Sequence, residues 1–121
     1  MYISPMSWMR LACVLGFLGV ALGAFGAHAL RGKVDPGMLE NYKTGVLYHF
    51  IHAIALLVWA HFRREHPEVG SLAGWAFTAG IVIFSGSLYL MTVTGMRWLG
   101  AVTPVGGLMF LVGWAAFAWK A

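Results

Sequence analysis

The sequence predicts an all-α integral membrane protein, a bundle of four transmembrane helices with both termini on the same side of the membrane. Hydrophobic residues make up 60% of the chain and charged residues 10%, which is outside the usual composition of a soluble domain. Four long apolar segments account for most of the length, and each can cross a hydrocarbon core of roughly 30 Å as a helix. The predicted spans are roughly residues 8–30, 44–62, 71–94 and 102–119.

One integral membrane domain therefore covers residues 1–121, since four spans leave no length for a second globular unit. The first span, which is uncharged over residues 11–30, resembles a cleavable signal peptide because Arg10 precedes it and Ala27-His28-Ala29 ends it. Its apolar run of about twenty residues exceeds the usual secretory core, so we expect it to be retained as a helix. Cys13 lies in this span, and a single cysteine predicts neither a disulfide framework nor a thiolate cluster.

The basic residues flank the spans and do not form one patch. This placement indicates anchoring to the anionic headgroups of membrane lipids and disfavours nucleic acid as a partner. The two sides of the membrane receive equal numbers, so the flanking charges do not choose an orientation. The side of the termini carries Arg10, Arg63, Arg64 and Lys120, and the opposite side carries Arg31, Lys33, Lys43 and Arg97.

Small residues recur where two membrane helices can approach closely. In the first span they are spaced by three, four and three residues, which puts them on one stripe of the helix. Glycine lets helix backbones gain dispersion contacts that bulky side chains prevent, so we predict close packing at these positions. They are Gly16, Gly19, Gly23 and Gly26 in the first span, Ser85 and Gly86 in the third, and Gly106, Gly107 and Gly113 in the fourth.

Two proline pairs predict the starts of helices. Asp35-Pro36 supplies a capping acceptor followed by a proline that the first helical turn tolerates, so the second helix should begin before its apolar run. Thr103-Pro104 predicts the start of the last helix in the same way, with Thr103 as the cap.

Three histidines and a tyrosine are the candidates for a polar site. His28 ends the first span, while His49 and His52 lie one turn apart in the second span beside Tyr48. The loop between the spans brings these ends to the same membrane face. A neutral imidazole in hydrocarbon must satisfy one donor and one acceptor, so we expect hydrogen bonds to a neighbouring helix, to Tyr48 or to a backbone carbonyl near a glycine. This structural role is the favoured interpretation.

Two alternatives remain open for these residues. A polar pocket near His28, Tyr48 and His52 could accept a solute or a lipid headgroup. The three histidines could also ligate copper, zinc or a haem iron, but no cysteine or carboxylate joins them, so neither a metal site nor a cofactor is predicted. The middle of every span lacks a charged residue, which counts against a proton pump, a voltage sensor or an ion-coupled carrier.

Four segments carry a family resemblance. They are GAFGAHAL at residues 23–30, YHFIHAIALL at 48–57, FSGSLY at 84–89 and TPVGGLMFLVGW at 103–114. Together they resemble the YgdD-like family of small bacterial inner-membrane proteins, which has eukaryotic relatives and was defined as a domain of unknown function. The resemblance implies a multi-pass protein of the inner (plasma) membrane and implies no activity. It also implies that His28 and His52 fall on motif positions, whereas His49 stands where the family has Gln or another polar residue.

The expected function is that of a non-enzymatic accessory or scaffold subunit, which docks through its glycine-lined faces onto itself or onto a larger membrane complex. The alternative is binding or transport of a small molecule or lipid near the histidines. Binding of haem or metal is a weaker third interpretation.

Overall fold

The computed structural model describes residues 3–121, and within that range it contains helices and turns but no strand. Four helical segments are long and apolar enough to cross a membrane, which confirms the predicted fold class. We name the helices α1 (Pro5–Leu30), α2 (Pro36–Glu65), α3 (Leu72–Thr94) and α4 (Thr103–Lys120). Short 3₁₀ turns at Pro67–Val69 and Arg97–Ala101 precede α3 and α4.

Prolines set the starts of the first two helices. At α1, the Ser4 hydroxyl accepts a hydrogen bond of 3.1 Å from the Ser7 N–H, and Pro5 occupies the first helical position. At α2, the helix begins at Pro36 as the sequence predicts, but the Asp35 carboxylate makes no capping bond. The fixed φ of proline is therefore the feature that defines the start of α2.

The expected cap of the last helix has a different role. Thr103 is the first residue of α4, not the residue before it, and its Oγ1 shares a hydrogen bond of 2.6 Å with Ser87 Oγ on α3. The Thr103 hydroxyl thus connects α3 to α4. It is not needed as a cap, because the 3₁₀ turn Arg97–Ala101 leads almost directly into α4 and its backbone hydrogen bonds continue into the helix.

Successive helices run in opposite directions. Trp8 near the start of α1 contacts Trp59 near the end of α2, and Phe117 near the end of α4 contacts Phe62 in the same region. The start of α1 and the end of α4 therefore lie at the same end of the bundle. The centre is formed by α2 and α3, with α1 packed mainly on α2 and α4 packed mainly on α3.

A tryptophan cluster fixes the start of α1. Trp8 is fully buried and meets both Trp59 of α2 and Trp75 of α3 edge-on, with ring centroids 5.2 Å apart in each pair. This geometry places the positive edge of one ring on the negative face of another and adds about 0.5–1.5 kcal/mol per pair beyond the burial itself. Trp8 therefore joins α1 to both central helices, next to the buried Leu56 and Phe77.

Glycines on α1 close the seam between α1 and α2. Gly19 packs on α2, and a Cβ at Gly23 would lie 2.8 Å from Cγ1 of Val46. Gly26 lies against the phenol group of Tyr42, which leaves no room for a side chain. Three of the four glycines of the predicted stripe therefore form a contact between helices of the same chain.

Glycines on α4 close the seam between α4 and α3. A Cβ at Gly106 would lie 2.6 Å from the Cα of Phe84, and a Cβ at Gly113 would lie 2.6 Å from the ring of Phe77. Gly107 meets only the edge of the Phe84 ring, at 3.9 Å, which is ordinary van der Waals contact.

Two of the predicted packing positions meet no neighbour within the chain, since a Cβ at Gly16 or at Gly86 would have no atom within 4 Å. Gly16 lies at the margin of the stripe, because the buried positions of α1 continue from Gly19 to Leu15 and Ala12. Gly86 points about 100° around the helix from Ser85, whose side chain is fully buried.

Three further glycines, which the sequence pattern did not single out, are also closely packed. A Cβ at Gly45 would lie 3.1 Å from the Tyr89 ring, while Gly74 packs on Trp59 and Gly80 packs on Phe110. The sequence pattern missed them because they belong to no repeat with spacings of three or four residues along one helix face. Only the pairing of helices reveals their role.

We predict that Gly106→Ala destabilises the protein by about 1–3 kcal/mol, because the new methyl group would meet the Phe84 backbone, which cannot move aside cheaply. The matched control is Gly107→Ala, whose methyl group meets only ordinary contacts and should change stability by about 0.5 kcal/mol or less. Unfolding of the purified variants in detergent measures both. Equal stabilities for the two variants would contradict the packing described for this seam.

Candidate functional site

His49 lies at the junction of three helices. Its side chain is buried, and its Nε2–H donates to the backbone carbonyl of Leu15 on α1 at 2.7 Å. Its Nδ1 accepts a hydrogen bond of 2.8 Å from the hydroxyl of Tyr89 on α3. A carbonyl oxygen can only accept, so the contact with Leu15 fixes the proton on Nε2. The neutral ring thus has both nitrogens satisfied, as burial in hydrocarbon requires.

His52 makes the complementary set of bonds one turn further along α2. Its Nδ1–H donates to the Tyr48 carbonyl at 2.7 Å, and its Nε2 accepts from the indole N–H of Trp114 on α4 at 3.0 Å. The ring also stacks on Phe110 of α4, with centroids 3.5 Å apart and planes 8° from parallel. The two histidines therefore carry their protons on opposite nitrogens, each dictated by its partners.

Together the two side chains join α2 to the other three helices. They lie about 20 and 24 Å from the start of α2, which is about 45 Å long at about 1.5 Å per residue. This is the middle of the helix, close to the centre of a hydrocarbon layer of roughly 30 Å. Polar bonding at this depth has no competition from water.

Other polar side chains form further links between the helices. Within the part of the chain that the structure describes, each link ends on a backbone carbonyl or a hydroxyl of a different helix. The links are Tyr42 Oη to Leu22 O (2.6 Å), Ser85 Oγ to Gly45 O (2.7 Å), Thr92 Oγ1 to Met38 O (3.2 Å) and Ser87 Oγ to Thr103 Oγ1 (2.6 Å). The inner polar groups thus serve mainly to hold the helices together.

A groove between α2 and α4 is the main concave feature near this polar layer. Its volume is about 670 Å³, and it opens on the outer surface of the bundle. Tyr48 and His52 line it on α2, and Tyr48 is 39% exposed. The remaining walls include Phe84 of α3 and Phe110, Gly107 and Trp114 of α4.

The predicted polar residues are only partly brought together. Tyr48 and His52 share the groove, and His49 lies one turn away facing α1 and α3. His28 is exposed at the end of α1, about 14 Å along the helix axis from Gly19, the residue that contacts His49. The three histidines therefore do not converge in the way that the metal and haem alternative requires.

The positions of the histidines also disfavour the binding of haem or a metal ion. Among residues 3–121, no group of three or more His, Cys, Asp or Glu side chains could hold a metal ion. His49 and His52 also use all four ring nitrogens in bonds to the protein. Ligation by either ring would first have to break a bond that stabilises the bundle.

Several partners in this layer escaped the sequence analysis. Tyr89, Trp114 and Tyr42 are not adjacent in sequence to the groups that they bond, so no spacing rule could have found them. Arg63 was expected to be a flanking charge, but it is buried and its Nε–H donates to the Gly70 carbonyl at 2.6 Å. It thereby fixes the loop between α2 and α3.

Comparison with known proteins agrees with this architecture. Residues 22–107 match the family described as protein of unknown function (DUF423). The chain belongs to the DUF423 family. This DUF423 protein is 47% identical over 112 residues to the UPF0382 membrane protein YwdK of Bacillus subtilis (strain 168), covering 88% of the chain and 91% of the relative. It is 39% identical over 110 residues to the UPF0382 membrane protein SAB0533 of Staphylococcus aureus (strain bovine RF122 / ET3-1), covering 88% and 90%. No solved structure matches it.

Membership in DUF423 agrees with the four apolar helices and assigns no activity. The DUF423 protein is thus a small multi-pass membrane protein of unknown biochemical activity. In a bacterium, its helical spans place it in the inner (plasma) membrane.

We predict that His49→Leu destabilises this DUF423 protein by about 1–3 kcal/mol, because it leaves the Tyr89 hydroxyl without its acceptor in a waterless layer. Tyr89→Phe removes the other half of the bond. In a double-mutant cycle the two changes should couple by about 0.6–1.7 kcal/mol. Unfolding of the four proteins in detergent gives the coupling, and strictly additive losses would mean that the bond contributes nothing.

Proposed function

We propose that this protein is a non-enzymatic membrane protein that binds a lipid-soluble small molecule in the groove between α2 and α4. The groove itself supports this function, since its volume of about 670 Å³ is typical of small-molecule sites, which measure roughly 300–1,000 Å³. Its aromatic and aliphatic walls suit an apolar ligand. The exposed Leu108 and Leu111 at its rim leave the open side accessible from the lipid.

The bonding of the histidines supports a binding role over a catalytic one. His52 lines the groove, but its Nδ1 donates to Tyr48 O and its Nε2 accepts from Trp114. A general base, a nucleophile or a metal ligand needs a free nitrogen lone pair. Such a role would require His52 to give up the bond that joins α2 to α4.

We predict that filling the groove removes the ligand. Gly107 lines the groove and meets only the edge of the Phe84 ring, so Gly107→Leu should place its side chain in the open space with little strain. The wild-type protein, purified in mild detergent, should carry a small apolar molecule that mass spectrometry detects and that Gly107→Leu has lost.

The control for this experiment is Gly86→Leu, because Gly86 also has open space around it but does not line the groove. It should retain the molecule. Identical sets of co-purifying molecules from all three proteins would argue against a ligand site in the groove.

A second candidate function is that of a self-associating or accessory subunit. Its basis is the outer surface of α1, where Gly16 has open space around it and the neighbouring Phe17 and Val20 are exposed. A helix of a second copy, or of a larger membrane complex, could approach closely at this gap. The other glycines of α1 are engaged with α2, so this face and not the whole predicted stripe is the surface available for docking.

The native cysteine offers a direct test of this candidate. Cys13 is exposed one turn before Gly16 on the same side of α1, so two copies that meet at Gly16 should form a disulfide on mild oxidation in membranes. We predict a covalent dimer on a non-reducing gel, its loss in Cys13→Ala and its reduction in Gly16→Leu. A dimer yield that Gly16→Leu leaves unchanged would point to random collision.

Within DUF423, we also propose the closer affiliation with the YgdD-like proteins. The four segments at residues 23–30, 48–57, 84–89 and 103–114 support it. Three of these segments contribute groove residues, namely Tyr48, Phe84 and Phe110.

A further inference from the structure

We propose that the ligand of the α2–α4 groove is an isoprenoid quinone, whose ring carbonyl accepts a hydrogen bond from the Tyr48 hydroxyl. This inference rests on the proposed binding function and names the class of its ligand. It involves binding alone and no electron transfer.

The first support is the hydroxyl of Tyr48. The hydroxyls of Tyr42 and Tyr89 each bond a protein group on another helix, whereas within residues 3–121 the Tyr48 hydroxyl has no such partner. In hydrocarbon an O–H group without an acceptor is costly. A ligand that brings an acceptor would remove this cost.

The second support is the scarcity of other polar groups in the groove. The ring nitrogens of His52 and the indole N–H of Trp114 bond each other or the backbone. The Tyr48 hydroxyl is therefore the side-chain donor that remains among the residues lining the groove. Lys and Arg are absent from that lining, so it offers no charge to a phosphate headgroup. The groove thus suits an uncharged ligand with an acceptor at one end.

The third support is the shape of the groove. The rings of Tyr48 and Phe84, both partly exposed, lie 4.8 Å apart in the wall of the groove, whereas the buried ring of Phe110 is stacked on His52. The exposed parts of the Tyr48 and Phe84 rings favour stacking with a flat ring. A second groove of about 350 Å³ continues from the first through the shared Ile51 and Trp114, and its lining is entirely apolar. A planar head with a long apolar tail fits both grooves in sequence.

The fourth support is depth. Tyr48 lies about 18 Å from the start of α2, in a helix about 45 Å long at about 1.5 Å per residue. The apolar run of α2 begins near residue 44, so Tyr48 lies about 6 Å below the surface of a hydrocarbon core that starts there. Phospholipid ester carbonyls lie at that surface, whereas the ring of an isoprenoid quinone can enter the hydrocarbon layer.

The test uses decylubiquinone and a matched analogue whose two ring carbonyls are replaced by methoxy groups. The protein is placed in nanodiscs of synthetic zwitterionic phospholipid without quinone, and quenching of tryptophan fluorescence is titrated. We expect saturable binding of decylubiquinone that is roughly 3- to 10-fold weaker in Tyr48→Phe, as the loss of one hydrogen bond implies. Binding of the methoxy analogue is measured by its displacement of decylubiquinone. Because ether oxygens are weaker acceptors than carbonyls, it should bind more weakly than decylubiquinone and respond less to Tyr48→Phe. Gly107→Leu should abolish binding of both compounds.

The outcomes separate this inference from the binding function on which it rests. Equal binding of both compounds with no effect of Tyr48→Phe, but loss in Gly107→Leu, would overturn the quinone assignment and leave the groove as an apolar site. Recovery of a bound phospholipid from the wild-type protein but not from Gly107→Leu would also overturn the quinone assignment and leave the groove as an apolar site. Unsaturable quenching that is identical in all variants would overturn both. Circular dichroism of Tyr48→Phe checks that its helices are intact.

Discussion

A bilayer offers no water to a buried polar group, and this constraint determines how the centre of the protein is arranged. His49 and His52 satisfy this constraint because each ring makes one hydrogen bond as a donor and one as an acceptor. Their partners lie on α1, α3 and α4 and on the backbone of α2 itself. Because the partners Leu15, Tyr89 and Trp114 stand at fixed heights, the two rings also set the register of the helices. A slip of α4 by one turn, about 5.4 Å, would take the Trp114 indole away from the Nε2 of His52.

The glycines and the buried polar side chains stabilise the same contacts between helices. A hydrogen bond between helices requires the two backbones to come close, and a missing side chain provides the space. The carbon Cδ2 of His49 would lie 3.5 Å from a Cβ at Gly19, so the gap on α1 receives the ring that bonds Leu15. In the same way Gly45 packs under α3 while its carbonyl accepts the hydroxyl of Ser85. Packing and polar bonding therefore stabilise the same contacts.

The sequence could predict what depends on one segment at a time. Apolar length predicted the four spans, and the Asp35-Pro36 pair predicted where α2 begins. It could not predict what depends on the pairing of helices. Gly16 and Gly19 have the same chemistry and share the predicted stripe, yet only Gly19 meets a neighbour. Likewise His28 shares a loop end with α2 but lies far from the groove, since depth along each helix, not connectivity, decides which side chains meet.

The open groove follows from the same rule that closes the other seams. Gly106 and Gly113 bring α4 against α3, and the stripe from Gly19 to Gly26 brings α1 against α2. Between α2 and α4, large rings take the place of glycine, and contact is made through His52, Trp114 and Phe110. Rings of that size hold α2 and α4 apart, while the hydrogen bond from the Trp114 indole to His52 joins them. A bundle joined in this way is closed by glycine at the α1–α2, α2–α3 and α3–α4 seams and has an aromatic opening between α2 and α4, which offers space for a flat apolar molecule.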